Sequence, residues 1–411
     1  MGIISHMDYC QSNNNKHINN GEINKKVGST MSLYVDYAAM KPLLPQVKEQ
    51  ILNFVDCGLC NPSAIYSNGR ITRRLIEQAR EKVAQAIGAD ANEIYFTSGA
   101  TEGINWFCHE DKQYILTTPI EHKAIIRNAL KNNFIPIDDN GRIGLKQFRN
   151  IVTSVRGAFS VVVGWVNNEI GTIQPIKEIA EICKEAKACL CIDATQAIGH
   201  IPINVHELGC SCLVGSFGKL GGLSGSGFMY IKKETYLEPL LKGGGQERGM
   251  RASTENVLGI LAGATAISIA TQDIEKKTAI TQKKRDMIIE SLLKIPKSHL
   301  NGSLKDRVCN NINIAFEGIE GESLVLQLDT RGIQCSTGSA CNSQSIEPSY
   351  VLKAIGLDDD TARASIRITI GDDISDLEVD YLIKNIKECV ALLRESSPLW
   401  KEINSTFANA M

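Results

Sequence analysis

The sequence predicts an α/β protein whose mainly parallel sheet is covered by helices on both faces, with a smaller α+β domain beside it. Three observations carry this reading. From Leu33 onward, short apolar runs alternate with helix-like segments, the pattern of repeated strand–helix units. Small and polar residues gather where those runs end, and in open sheets of this kind ligands collect at the carboxyl ends of the strands. The length, 411 residues, exceeds what one hydrophobic core usually serves.

Along the chain, "EIYFTSG" leads into "ATEGINWF", "QYILTTP" into "EHKAIIRNAL" and "SVVVGWVNN" into "IKEIAEICKEAK", followed by "CLCIDATQ" and "CLVGSF". Each apolar run reads as a strand, and each periodic segment after it as the helix that returns the chain. The run ends fall at Ser98 to Gly103, Asn167 to Gly171, Asp193 to Gln196 and Ser216 to Lys219. Past about residue 275 the texture changes: a helical stretch precedes "NNINIAF", "GIQCSTGSACNSQS" and "ASIRITIG", and an amphipathic helix follows near 375–395. The expected division is a disordered, asparagine-rich tail over 1–30, a large domain over 45–274, and a small domain built from 31–44 and 275–411.

The formal net charge is -2, so no global basic field drives nucleic-acid binding and no direct nucleic-acid partner is expected. Thirteen cysteines lie scattered without a regular framework, and neither a secretory signal nor a membrane-length apolar run appears. A soluble protein of the reducing cytoplasm, with no membrane partner, is expected. Cys57 and Cys60 form a C-x-x-C with no second pair at zinc spacing, so no metal site is predicted.

Lys219 stands in "SFGK", between an apolar run and a glycine- and serine-rich patch that lets backbone approach a ligand closely. Alone it reads either as a surface charge or as a reactive amine. "TSGATEG" is a small-residue turn opening a helix, and its backbone N–H groups with the Ser98 and Thr101 hydroxyls suit a phosphate. Asp193 ends the apolar run "CLCID", a costly place for a carboxylate without a cation nearby; alone it reads equally well as a helix N-cap. A phosphate cradle, a carboxylate to match a protonated pyridine ring and a lysine amine are together what pyridoxal 5'-phosphate requires.

A longer set of motifs carries a family resemblance. "YVDYAA", "NPSAIYSNGR", "FTSGATEG", "EHKA", "VNNEIGTIQP", "DATQAIGHIPI", "GGGQERGMRASTENV", "STGSACNS", "EPSYVLKAIGL" and "SIRITIG" occur in order over nearly the whole chain. They resemble cysteine desulfurases of the NifS/IscS type, within the class V aminotransferases. The resemblance implies a fold-type I, pyridoxal-phosphate-dependent homodimer whose large domain holds a mainly parallel, seven-stranded sheet. Lys219 would bond the cofactor and Asp193 would keep its ring nitrogen protonated. His122 would stack on the ring and take part in catalysis, with Asn168 and Gln196 approaching the ring substituents. Ala100, Thr101 and Ser216 would hold the phosphate, joined by Thr254 of the other subunit.

Arg367, with Asn168, would bind the substrate carboxylate, a task suited to a bidentate guanidinium. Cys341 in "STGSACNS" is the matching nucleophile, and a glycine- and serine-rich segment suits a thiol that must be exposed and travel. Cys335 reads as a structural thiol, with a redox partnership as the alternative. The implied reaction converts L-cysteine to L-alanine: the Lys219 amine moves the Cα proton, and Cys341 keeps the sulfur as a persulfide. The sulfur would pass to acceptor or scaffold proteins, for iron–sulfur cluster assembly or thio-modification of tRNA or DNA. Selenocysteine lyase, aminotransferase and a catalytically degenerate docking scaffold are the competing readings.

Three positions depart from the family pattern. Gly218, Gln246 and Tyr66 stand where histidine is usual. The change at 218 removes a phosphate contact, and a weaker hold on the cofactor is expected.

Overall fold

The computed structural model describes residues 32–109, 114–129, 133–338 and 347–402. The expected tail over 1–30 and Cys341 lie outside them.

After the short strand β1 (Leu33–Tyr34) come helices α1 (Pro45–Asp56) and α2 (Ser67–Ile87). In α2, the buried Thr72, Ile76, Ala79, Val83 and Ile87 recur at helical spacing and form one apolar stripe, and Gly88 ends the helix in the left-handed region at φ 66°. The strand–helix series follows: β2 (Ile94–Thr97), α3 (Ala100–Cys108), β3 (Tyr114–Leu116), α4 (Lys123–Ile126), α5 (Leu145–Ser154), β4 (Phe159–Gly164) and α6 (Ile176–Glu185). It continues through β5 (Cys189–Asp193), α7 (Val205–Leu208), β6 (Cys212–Ser216) and β7 (Gly227–Ile231) to α8 (Val257–Ala270). The remaining elements are α9 (Ile274–Leu292), β8 (Ser298–Leu300), β9 (Asn311–Phe316), α10 (Gly321–Asp329), β10 (Ile333–Gln334), α11 (Tyr350–Ala354), α12 (Asp359–Arg363), β11 (Ser365–Thr369) and α13 (Asp376–Ser396).

The central sheet has the order β2-β7-β6-β5-β4-β3. The pairs from β3 to β6 are parallel, while β7 runs antiparallel to both β6 and β2. Helices pack on both faces, so β4, β5 and β6 are continuous apolar runs rather than alternating ones. Seven strands were implied; among the described residues the sheet has six. A single parallel bridge, Thr117 to Phe134, extends the edge beyond β3 where a further strand would run.

The smaller domain has its own three-stranded antiparallel sheet, β11-β9-β8, and a parallel pair of β1 with β10. Its apolar cluster gathers Leu33 and Val35 with residues of α9, β9, β11 and α13, separate from the clusters around the central sheet. Between the two runs a strap that turns at residues 37–39, where Ala39 and Met40 N–H donate to the Asp36 carbonyl (3.0 and 3.2 Å). Ala38 N–H donates to the Thr369 hydroxyl (2.9 Å) on one side. On the other, Lys41 N–H donates to the Gly218 carbonyl (3.3 Å) and Leu44 N–H to the Gly221 carbonyl (3.0 Å).

The turn over Gln246–Gly249 is fixed by a buried ion pair. Arg80 in α2 donates to both Glu247 carboxylate oxygens (2.7 and 2.8 Å), and Glu247 also accepts from Phe96 N–H of β2 (2.8 Å). The two side chains are only 3% and 2% exposed, so removing one leaves a charge buried without its partner. Arg80→Met should therefore destabilise the protein by about 3–5 kcal/mol, measured as a shift in the chemical unfolding midpoint; a loss within experimental error would refute this role.

Candidate active site

The carboxyl ends of β2, β4, β5 and β6 open on a cavity of about 340 Å³, a size that suits a small cofactor with its substrate. At the end of β2, Gly99 turns the chain into α3. As the first residues of a helix, Ala100 and Thr101 carry N–H groups without an acceptor within it. They line the cavity with Ser98 and, from the end of β6, Ser216. A Cβ on Gly227 of β7 would lie 2.7 Å from the Gly99 Cα, so only glycine lets the turn come this close to the sheet. Glu102 accepts from Ser98 N–H (2.8 Å) and from Arg251 (2.9 and 3.1 Å). Burial opposes its ionisation, but the bonds from Arg251 and Ser98 outweigh this and hold its carboxyl below the usual range.

Asp193 closes β5 and accepts from Thr195 N–H (3.0 Å). It pairs with no cation among the described residues, while the nearby Thr195 hydroxyl is buried without a hydrogen-bond partner. Lys219 follows β6 in a short 3-10 turn, and its Nζ donates to the Ala39 carbonyl of the strap. Gln196 donates to the Ala38 carbonyl (3.0 Å). His122 caps α4: its Nδ1 accepts from Ala124 N–H (3.1 Å), which leaves Nε2 to carry the proton of the neutral ring.

Arg367, in the middle of β11, is 1% exposed yet lines the same cavity. Its Nη1 donates to the Asn168 carbonyl (3.0 Å) and its Nη2 to Asp36 (2.7 Å), while Nε is buried with no partner. The structure thus brings together Ala100, Thr101, His122, Asn168, Asp193, Gln196, Ser216, Lys219 and Arg367. Thr254 is exposed and does not line the cavity of its own chain. Cys335 is half-buried, and burial pushes its thiol up to about 12, which disfavours the thiolate.

The departures at 218, 246 and 66 all lie off the cavity lining. Gly218 is buried, and a Cβ there would meet the Met40 sulfur at 3.2 Å. Gln246 keeps a buried Oε1 without a partner, and Tyr66 is 57% exposed.

Three acids at the site were not singled out from the sequence, although each lies inside a quoted motif: Asp36 in "YVDYAA", Glu121 in "EHKA" and Glu169 in "VNNEIG". The available signal was a carboxylate set among apolar neighbours. Glu121 lines the cavity and accepts from the Thr118 hydroxyl (2.8 Å) and Gly164 N–H (2.8 Å). Burial, with a smaller contribution from the Asp193 charge, raises its carboxyl to about 8. Glu169 is also raised by burial, against the opposing pull of Ser349 and Arg367.

These residues fit pyridoxal phosphate. Unmatched helix N–H groups and hydroxyls suit a phosphate, Asp193 stands ready for a protonated nitrogen, and the Lys219 amine shares the cavity. A primary amine and a carboxylate lining one small space on a doubly wound sheet suit a carbonyl cofactor. The family model for class-V aminotransferases matches residues 33–382, and the chain belongs to that family. Among its relatives, the cysteine desulfurase IscS of Methanosarcina thermophila is 43% identical, covering 90% of this chain and 94% of its own. A solved NifS-like protein superposes with a TM-score of 0.81 at 32% identity, over 88% of this chain and 100% of that one. The structure of SspA in complex with cysteine aligns at 28% identity with a TM-score of 0.70, over 82% and 99%.

The raised Glu121 carboxyl has a stability signature. The folded protein binds this proton more tightly than the unfolded chain, so stability from the group is full below the ordinary value of 4.5 and is lost as pH rises to about 8. Glu121→Gln removes that slope. In the cofactor-free protein the variant should gain thermal stability over the wild type between about pH 5 and about pH 8, measured by melting at both; parallel pH dependences would refute it.

Proposed function

We propose that this chain is a pyridoxal-phosphate-dependent cysteine desulfurase. It takes the sulfur of L-cysteine, releases L-alanine, and carries the sulfur as a persulfide on Cys341 to acceptor proteins. The observation that carries this reading is the convergence of Lys219, Asp193, the Ala100–Thr101 turn and Arg367 on one cavity, in a chain whose relative is named a cysteine desulfurase.

The roles follow from the chemistry of each group. The N–H groups of Ala100 and Thr101 and the Ser216 hydroxyl hold the phosphate, with Thr254 of a second subunit as a further contact. That Thr254 is exposed and away from its own cavity supports this dimeric arrangement. Asp193 would pair with the ring nitrogen, His122 would lie on the ring, and Gln196 and Asn168 would contact its substituents. When bound, pyridoxal phosphate supplies an electron sink at the substrate carbon. Arg367 fixes the substrate carboxylate, and the Lys219 amine takes and returns the Cα proton. The Cys341 thiolate then attacks the substrate sulfur. A sulfur–sulfur bond forms as the carbon–sulfur bond breaks, and the electron pair left on the carbon is taken up with a proton as alanine forms.

The acceptors are sulfur-transfer or scaffold proteins serving iron–sulfur cluster assembly or thio-modification. The compartment is the cytoplasm, a reading supported by the described cysteines, all free thiols. No single helix among the described residues is long and apolar enough to cross a membrane.

The test is visible absorption of the purified protein with and without L-cysteine, with sulfide and alanine assayed under reductant. Wild type should carry a cofactor band that responds to L-cysteine and should release both products. Cys341→Ala should keep the spectral response and lose product formation, and Lys219→Ala should lose turnover. A protein without a visible band even after addition of pyridoxal phosphate would overturn the reading.

A further inference from the structure

The Arg367 guanidinium is held from two sides. Asp36 reaches it from the strap, accepting from Nη2 at 2.7 Å, and the Asn168 carbonyl reaches it from the loop after β4, accepting from Nη1 at 3.0 Å. Both holders are themselves anchored. Asp36 is bridged to Thr369, two residues along from Arg367, and its carbonyl accepts from the Tyr34 hydroxyl (3.0 Å). Asn168 follows Asn167, whose side chain donates to the Ile120 carbonyl (2.8 Å) and accepts from Glu169 and Ile170 N–H. The Arg367 backbone exchanges hydrogen bonds in both directions with Ser336. The guanidinium plane is thereby fixed by both domains.

The bonds to Asp36 and Asn168 use two of the five guanidinium N–H groups. Among the described residues nothing accepts from the buried Nε, in a residue that lines the cavity. An ion pair serving only to join two domains has no use for an orphaned buried donor, which costs stability until something accepts from it. We propose that Asp36 is a positioning residue for substrate. It holds the Arg367 guanidinium in place so that the N–H groups left unused can meet the α-carboxylate of the incoming amino acid, and so tunes the site to substrates that carry one. This rests on the proposed function, in which Arg367 binds that carboxylate.

The pairing changes how recognition works. With Asp36 at its side, Arg367 carries little unmatched charge, so an anion is selected by directed hydrogen bonds from a fixed fork rather than by attraction to a free cation. Without Asp36, the guanidinium has another acid to turn to. Glu169 is buried and interacts electrostatically with Arg367. A guanidinium drawn toward Glu169 presents a different edge to the cavity.

The test uses the holoenzyme with Asp36→Ala, Asp36→Asn and Arg367→Lys. Steady-state kinetics with L-cysteine are paired with spectral titrations using L-cysteine and using cysteamine, which has the thiol and amine but no carboxylate. Asp36→Ala should raise KM for L-cysteine roughly tenfold or more, the scale of one charge-assisted hydrogen bond, with kcat changed less than about threefold. Its affinity for cysteamine should stay at the wild-type value. Asp36→Asn keeps an acceptor oxygen and should recover part of the loss; it carries the test if the alanine variant does not fold.

Arg367→Lys separates the two readings. If it leaves KM for L-cysteine unchanged, the carboxylate is bound elsewhere and the assignment of Arg367 falls first. If it raises KM while both Asp36 variants do not, the role of Asp36 is overturned and that of Arg367 stands. Equal losses for L-cysteine and cysteamine, with lower thermal stability, would make Asp36 a domain tie and overturn the proposal as well.

Discussion

The site depends on the register of three parallel strands. Gly164 of β4 lies opposite Asp193 of β5, and Asp193 lies opposite Val214 of β6. That alignment brings the loops carrying Asn168, Gln196 and Lys219 to one edge of the sheet. Leu190 and Ile192 point into one apolar cluster, while Cys191, Cys212 and Val214 point into the other, where α3 packs. Asp193, two residues beyond Cys191, takes the α3 side. A slip of one residue would bury Asp193 on the wrong face and turn Leu190 and Ile192 out of their cluster. The packing that stabilises the sheet therefore also puts the carboxylate on the side of α3, whose N-terminal residues line the cavity. Gly103 shows how close that helix lies: a Cβ there would stand 2.7 Å from a Val214 methyl.

A second constraint joins the two ends of the substrate site. The strap hydrogen-bonds β11 through Thr369 and the Lys219 turn through Gly218. Its carbonyls at Ala38 and Ala39 accept from Gln196 and Lys219. Lys219 and the strand that carries Arg367 are thus tied to one short piece of chain that turns at residues 37–39. Movement between the domains would be felt first in these bonds, since they span the boundary directly.

The sequence revealed those parts of the site whose signals are local. Asp193 and Lys219 stand out as polar residues ending apolar runs, and "TSGATEG" as a helix-opening turn, because each is legible within about ten residues. Asp36 and Glu121 do not stand out, because their meaning lies in distant partners: Asp36 meets Arg367 331 positions away, and Glu121 meets Gly164 43 positions away. Nothing local marks a carboxylate as neutral or as a guanidinium holder. The same holds for Gly218, where a lost histidine looked like a gap and the structure sets the Met40 sulfur beside it. At the β3 edge, an implied strand becomes a single bridge, because pairing at the rim of a sheet depends on backbone bonds that composition does not encode.

Burial acts in the same direction on two acids near the cavity, Glu121 and Glu169. Burial and the Asp193 charge both raise the Glu121 carboxyl. Both effects favour the neutral form of Glu121. At the other end, Asp36 already answers the charge of Arg367, and Glu169 is raised by burial despite Arg367. In the proposed function a substrate carboxylate would bring a further negative charge here, and a new anion nearby would disfavour ionisation of Glu169. Gly338, the last described residue before the segment that carries Cys341, lies against that carboxyl: a Cβ on it would sit 3.0 Å from Glu169 Oε1. The carboxyl that interacts with Arg367 is thus also the one that borders the last described residue before that segment.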